Sequence, residues 1–97
     1  MNITKKLDET KLTVTVDGNI DTVTAPQLDS ELKLDGVTDL TFDISGVVYV
    51  SSAGLRVFLS AYKTMTAKKG TMTIKGTQPA VLDVFKITGF STIFNLA

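Results

Sequence analysis

The sequence predicts an α/β fold: one mixed sheet of four to five strands with helices packed against it, in the order β-β-α-β-α-β-α-β. Leu40, Phe42 and Ile44 alternate with Thr41, Asp43 and Ser45, the period-two pattern of a half-buried strand. Leu55, Phe58, Leu59, Tyr62 and Met65 then recur at three- and four-residue spacing, which places them on one helical face. Strand-like and helix-like segments alternate along the rest of the chain, so right-handed crossovers should leave the later strands parallel.

Ile3 to Leu7 reads as a short strand and Leu12, Val14 and Val16 mark a second, with Asp8-Glu9-Thr10 between them. This is an antiparallel hairpin, and it makes the sheet mixed. After the turn-rich Asp17-Gly18-Asn19, Ile20 to Val23 lead into Thr24-Ala25-Pro26-Gln27, which has the form of a capping box. Thr24 would cap the N–H of Gln27, and Pro26 sits in the first turn where its missing donor does no harm. Ala25, Leu28 and Leu32 form a narrow apolar stripe, and Asp35-Gly36 is the expected stop.

The central strand runs from about Asp39 to Ile44, and the long helix from Ser52 to Lys69. Lys68 and Lys69 suit the negative end of its dipole, and Gly70 is placed as its stop. Met72 and Ile74 mark another strand, and Thr77-Gln78-Pro79 starts a helix with Leu82, Val84 and Phe85 as apolar surface. Gly89 ends it before a final β-like run from Ser91 to Leu96.

A length of 97 residues with 43% hydrophobic content suits one domain, residues 1–97, with no linker, repeat or low-complexity segment inside it. Lys plus Arg (10) balances Asp plus Glu (10), so no global field draws nucleic acid or an anionic membrane. Cysteine and histidine are absent, which removes disulfides, soft metal sites, cysteine nucleophiles and Ser-His-Asp arrangements. None of the seven glycines belongs to a phosphate-cradling motif, so autonomous nucleotide hydrolysis is not expected, nor is any cofactor or metal. With neither an apolar signal core nor a stretch long enough to span a bilayer, a cytoplasmic protein without membrane insertion is expected.

The joint between central strand and long helix holds the candidate site. Ser51 or Ser52 falls where an N-cap belongs, and the free N–H groups and dipole there also favour an anion. Ala53 and Gly54 are small and would leave the backbone open to a ligand or another protein. Arg56, the only arginine, lies four residues after Ser52 and shares its helix face. A phosphate on Ser52 is within its reach, against the plainer reading of a solvated arginine or one paired with a surface acid. Asp17, Asp21 and Asp43 lie at strand ends, where they serve either as an acid–base pair or, the stronger reading, in local turn hydrogen bonds. Tyr49 and Tyr62 fit core positions with hydroxyls at the rim.

Asp43-Ile-Ser-Gly46, Tyr49-Val-Ser-Ser-Ala-Gly-Leu55 and Ala61-Tyr-Lys63 together resemble the signature of STAS-domain anti-sigma factor antagonists. Gly18-Asn-Ile-Asp21 with Thr24-Ala25 is similar to the family's loop after its second strand. Lys69-Gly70, Pro79-Ala80-Val81 and Ile87-Thr-Gly-Phe90 resemble its later landmarks, so the resemblance covers nearly the whole chain. It implies a STAS-like fold and a small bacterial regulatory module with no enzymatic activity of its own. In the family, a serine at the helix start, Ser52 here with Ser51 as the alternative, is phosphorylated by an anti-sigma factor acting as a serine kinase.

The resemblance further implies that, as in the family, the unphosphorylated form would bind that anti-sigma factor and free the sigma factor for transcription, with a serine phosphatase restoring it. ATP and magnesium then belong to the partner. The partner surface implied comprises Asn19, Asp21, Thr22, Ser51, Ser52, Ala53, Gly54 and Arg56. The chain departs from the pattern at Ser51, where regulated members usually carry aspartate, and its end at Ala97 implies that a C-terminal helix common in the family is absent or much reduced. The alternative is a STAS accessory or scaffold subunit of a transport or signalling complex, never phosphorylated, in which Ser52 merely caps the helix. A small enzyme using Asp21 or Asp43 is the third reading.

Overall fold

The computed structural model describes residues 1–97. Its elements are β1 (Asn2–Asp8), β2 (Lys11–Asp17), α1 (Ala25–Glu31), β3 (Asp39–Gly46), α2 (Ser52–Ala67), β4 (Thr71–Lys75), α3 (Pro79–Thr88), a 3-10 turn (Phe90–Thr92) and β5 (Asn95–Leu96). The five strands lie in the sheet in sequence order, β1 antiparallel to β2 and the remaining pairs parallel. The expected α/β order is therefore the observed one. No helix is long and apolar enough to cross a membrane.

Register puts the strand patterns in line. Leu12, Leu40 and Met72 pair across β2, β3 and β4, and Val14, Phe42, Ile74 and Leu96 form the next row. All but the half-buried Leu96 are buried beneath the helices. The opposite face carries the row Thr13, Thr41, Thr73 and Asn95, so the sheet is covered on one side only, in a two-layer arrangement. Phe58 of α2 is fully buried at the centre of the core, edge-on to Phe42 at 5.0 Å, Phe85 at 6.1 Å and Phe94 at 6.4 Å between ring centroids. Such geometries place ring edges against ring faces, as the aromatic quadrupole favours.

Several boundaries differ from the sequence pattern. Helix α1 ends at Glu31, before the expected Asp35-Gly36 stop, and the connection to β3 follows. Helix α2 ends at Ala67, and the left-handed residue beyond it is Lys69 (φ 61°), not Gly70. The N–H of Gly70 reaches the Met65 carbonyl at 2.7 Å and that of Lys69 the Thr66 carbonyl at 3.0 Å, the paired bonds of a Schellman ending. Gly70 is needed for close approach instead: a Cβ there would lie 2.7 Å from both Met65 Cε and the Thr38 carbonyl oxygen.

The Ser91–Leu96 run forms the end of a 3-10 turn and a two-residue strand. Phe94 turns into the core between them, which leaves too few extended residues for a longer strand. Tyr62 packs beside Phe94 as expected of a core-edge ring, at 5.8 Å. Tyr49 does not; it lies in the loop after β3 with about half its surface in solvent (53%).

Candidate functional site

Each parallel strand of the first three ends at the same edge, so the loops β2–α1, β3–α2 and β4–α3 gather there with the N-termini of the helices. The first two are tied together by backbone bonds: Gly18 N–H to the Gly46 carbonyl (3.0 Å), Ile20 N–H to the Tyr49 carbonyl (3.0 Å) and Ser51 N–H to the Ile20 carbonyl (2.8 Å). Ile20 and Val50 form an isolated parallel bridge and both are buried. The third loop joins through Gln78 Nε2, which donates to the Ser45 carbonyl at 2.7 Å.

Gly54 explains why the loops close so tightly on α2. A Cβ at that position would fall 2.6 Å from Ile20 Cγ2 and 2.9 Å from Val50 Cγ1, closer than real contacts allow. Gly54 is buried, so its small size serves this internal packing and does not open the backbone to the surface. Ala53, half-buried, is the small residue of the pair that reaches the outside.

The two serines have separate roles. Ser51 is the N-cap of α2: its backbone is extended (φ −82°, ψ 174°) and its hydroxyl accepts from the Gly54 N–H at 3.3 Å. Ser52 is the first helical residue, exposed, and its hydroxyl makes no hydrogen bond within the protein. The cap duty thus falls on Ser51 and leaves the neighbouring hydroxyl free.

Asp21 and Thr24 organise the facing loop. Asp21 Oδ1 accepts from the N–H groups of Val23 and Thr24, both at 2.9 Å, while Thr24 Oγ1 accepts from the Asp21 N–H at 2.9 Å and donates to the Asn19 carbonyl at 2.8 Å. The expected Thr24–Gln27 box is absent; the reciprocal box is Asp21–Thr24, one turn earlier, because Thr24 is already helical (φ −90°, ψ −21°). The Thr24 backbone N–H, supported by the Val23 N–H, holds the Asp21 carboxyl below its ordinary value of 3.8, against a smaller opposing desolvation. Asp43 is lowered likewise by the backbone N–H and hydroxyl of Ser45, with Lys75 alongside. A general acid needs a raised pKa, so neither carboxyl suits that task, and no three metal-ligating side chains cluster anywhere.

Thr22 and Asn19 are exposed on the same loop. Thr22, Ala25, Pro26 and Asp29 face Ala53, Arg56, Val57 and Ser60 across an open groove of about 470 Å³ between α1 and α2. Arg56 is exposed there and makes no ion pair or hydrogen bond; the only salt bridge in the chain is Lys5–Glu31, at 2.9 Å. Three apolar side chains on the two joined loops stand in solvent: Val23 (84%), Val48 (63%) and Tyr49 (53%). None of them belongs to a periodic pattern, and the only trace in the sequence is apolar residues in a stretch too irregular for strand or helix.

The STAS domain description matches residues 2–97. The chain is 31% identical to the anti-sigma-B factor antagonist of Listeria monocytogenes, over 99% of this chain and 90% of that protein. It is 27% identical to the anti-sigma-B factor antagonist of Bacillus subtilis, over 100% of this chain and 91% of that protein. Among solved structures, an anti-sigma factor antagonist from Mycobacterium paratuberculosis superposes with a TM-score of 0.84 at 26% identity, covering 98% of this chain and 83% of the other. The Bacillus cell fate determinant SpoIIAA in its phosphorylated form superposes with a TM-score of 0.78 at 15% identity, covering 99% and 91%, a likeness of fold. With a family match along nearly its full length, a sheet in sequence order and a serine-led helix at the strand ends, this chain belongs to the STAS domain family.

Proposed function

We propose that the chain is an anti-sigma factor antagonist: a binding module of the cytoplasm that engages an anti-sigma factor with serine kinase activity and is switched by phosphorylation of Ser52. The observation that carries the switch is the division of labour between the two serines. Ser51 is committed to the helix cap, whereas Ser52 offers an exposed, unbonded hydroxyl at the positive end of a 16-residue helix. A partner kinase would move the γ-phosphoryl group of ATP onto the Ser52 oxygen, with the hydroxyl proton leaving to a base of the kinase; a serine phosphatase would reverse the state by hydrolysis. The names of the relatives support the partner class.

The test is phosphopeptide mapping after incubation with the anti-sigma factor kinase and ATP. Label on Ser52 is the expected result. Label on Ser51 would move the switch onto the cap, and no label with both serines intact would favour a scaffold role.

A further inference from the structure

Arg56 is the one cation of α2 within about a turn of Ser52; the next, Lys63, lies eleven residues on, about three turns down the helix. Residues four apart on a helix are neighbours, and helical side chains lean toward the N-terminus, so the turn that carries Ser52 is within reach of the Arg56 side chain, which lines the α1–α2 groove. Its guanidinium has no carboxylate partner. Asp29 lines the far wall of the same groove without pairing with it, and the Asp21 carboxylate is already occupied by N–H donors of its own loop.

We infer that Arg56 is the counter-charge of a phosphate carried on Ser52, and that phosphorylation draws its guanidinium out of the α1–α2 groove and onto the modified serine. This rests on the reading of Ser52 as the phosphoacceptor. An arginine fork matches phosphate oxygens with two parallel N–H bonds, which a lysine replaces only as a point charge. The switch then acts twice on the partner surface. A dianion appears at Ser52, and the only cation lining the adjacent groove is withdrawn from it.

The experiment places phosphoserine at position 52 by chemical synthesis of the full chain and follows its phosphorus resonance against pH at low salt. Wild type is compared with Arg56→Gln, Arg56→Lys and, as control on the same helix, Lys63→Gln. The second ionisation, about 6 for free phosphoserine, is expected to lie lower in the wild type and to rise by about half a unit or more in Arg56→Gln. Arg56→Lys should keep part of the shift, Lys63→Gln all of it, and added salt should shrink it. An Arg56→Gln titration that overlays the wild type overturns the inference. Because no kinase is used, this outcome is independent of the mapping experiment: an unlabelled Ser52 would fail the switch, and a flat titration would fail only the role of Arg56.

Discussion

The backbone N–H of Asp21 donates to Thr24 Oγ1 at 2.9 Å, and the N–H of Thr24 donates to Asp21 Oδ1 at the same distance. The pair closes the loop that faces Ser52, and the carboxylate is the stronger acceptor of the two. Asp21→Ala is therefore expected to lower the denaturation midpoint. Since the folded pKa of Asp21 is below its unfolded value, this contribution is complete above the unfolded pKa and is lost as pH falls through the folded one. Urea melts should show wild type losing its advantage over Asp21→Asn below about pH 4, where an unfolded aspartate begins to hold its proton. An advantage that stays constant down to acid pH would remove the carboxylate from the account.

Ser51→Ala should cost about 1 kcal/mol, the usual loss of a helix cap. Ser52→Ala removes a hydroxyl that bonds to nothing, so thermal or urea unfolding should find it within about 0.5 kcal/mol of wild type. The opposite ranking would show the cap to be on Ser52.

Phe58→Ala should destabilise by about 3–5 kcal/mol, because the ring is fully buried against three other phenylalanines and the void cannot collapse easily. A loss under about 1 kcal/mol in chemical denaturation would contradict that packing.

Gly54→Ala adds one methyl group where Ile20 and Val50 already stand, and should cost about 1–3 kcal/mol. Amide chemical shifts of residues 19–21 and 48–52 should move with it, since the added carbon pushes on the bridge between the two loops. Shifts confined to α2 would argue that the loops yield without strain.

Ser52→Asp should weaken binding to a cognate anti-sigma factor by at least about tenfold, or 1.4 kcal/mol, while leaving the fold intact. The carboxylate would sit at the favourable end of the helix dipole, so only the surface changes. Calorimetric titration of wild type and variant measures this, and equal affinities would count against a charge-operated switch.

The strands and α2 were legible because burial on one face imposes period two on Leu40, Phe42 and Ile44 and helical spacing on Leu55, Phe58 and Met65. The joint at Ser51-Ser52 was legible for the same reason, being the place where one period gives way to the other. What periodicity does not encode was missed. Whether Asp21 or Thr24 begins the capping box depends on a backbone torsion at Thr24, and either residue is an acceptable cap by type. Gly70 looked like a left-handed stop, yet its neighbour Lys69 takes that torsion while Gly70 makes room for Met65 and Thr38. Tyr49 and Phe94 are both aromatic residues in apolar runs, and only the path of the loop sends one outward and the other into the core.

Beyond the register shift between β2 and β3, Asp17 pairs with Gly46 and the isolated Ile20–Val50 bridge follows, so backbone pairing reaches into the loops that hold Ser51 and Ser52. Recognition at that edge would start from segments already held in place, with little chain entropy left to lose on contact. Complex formation should then show the heat-capacity change of the apolar area it covers, without the larger signature that accompanies a segment folding onto its partner.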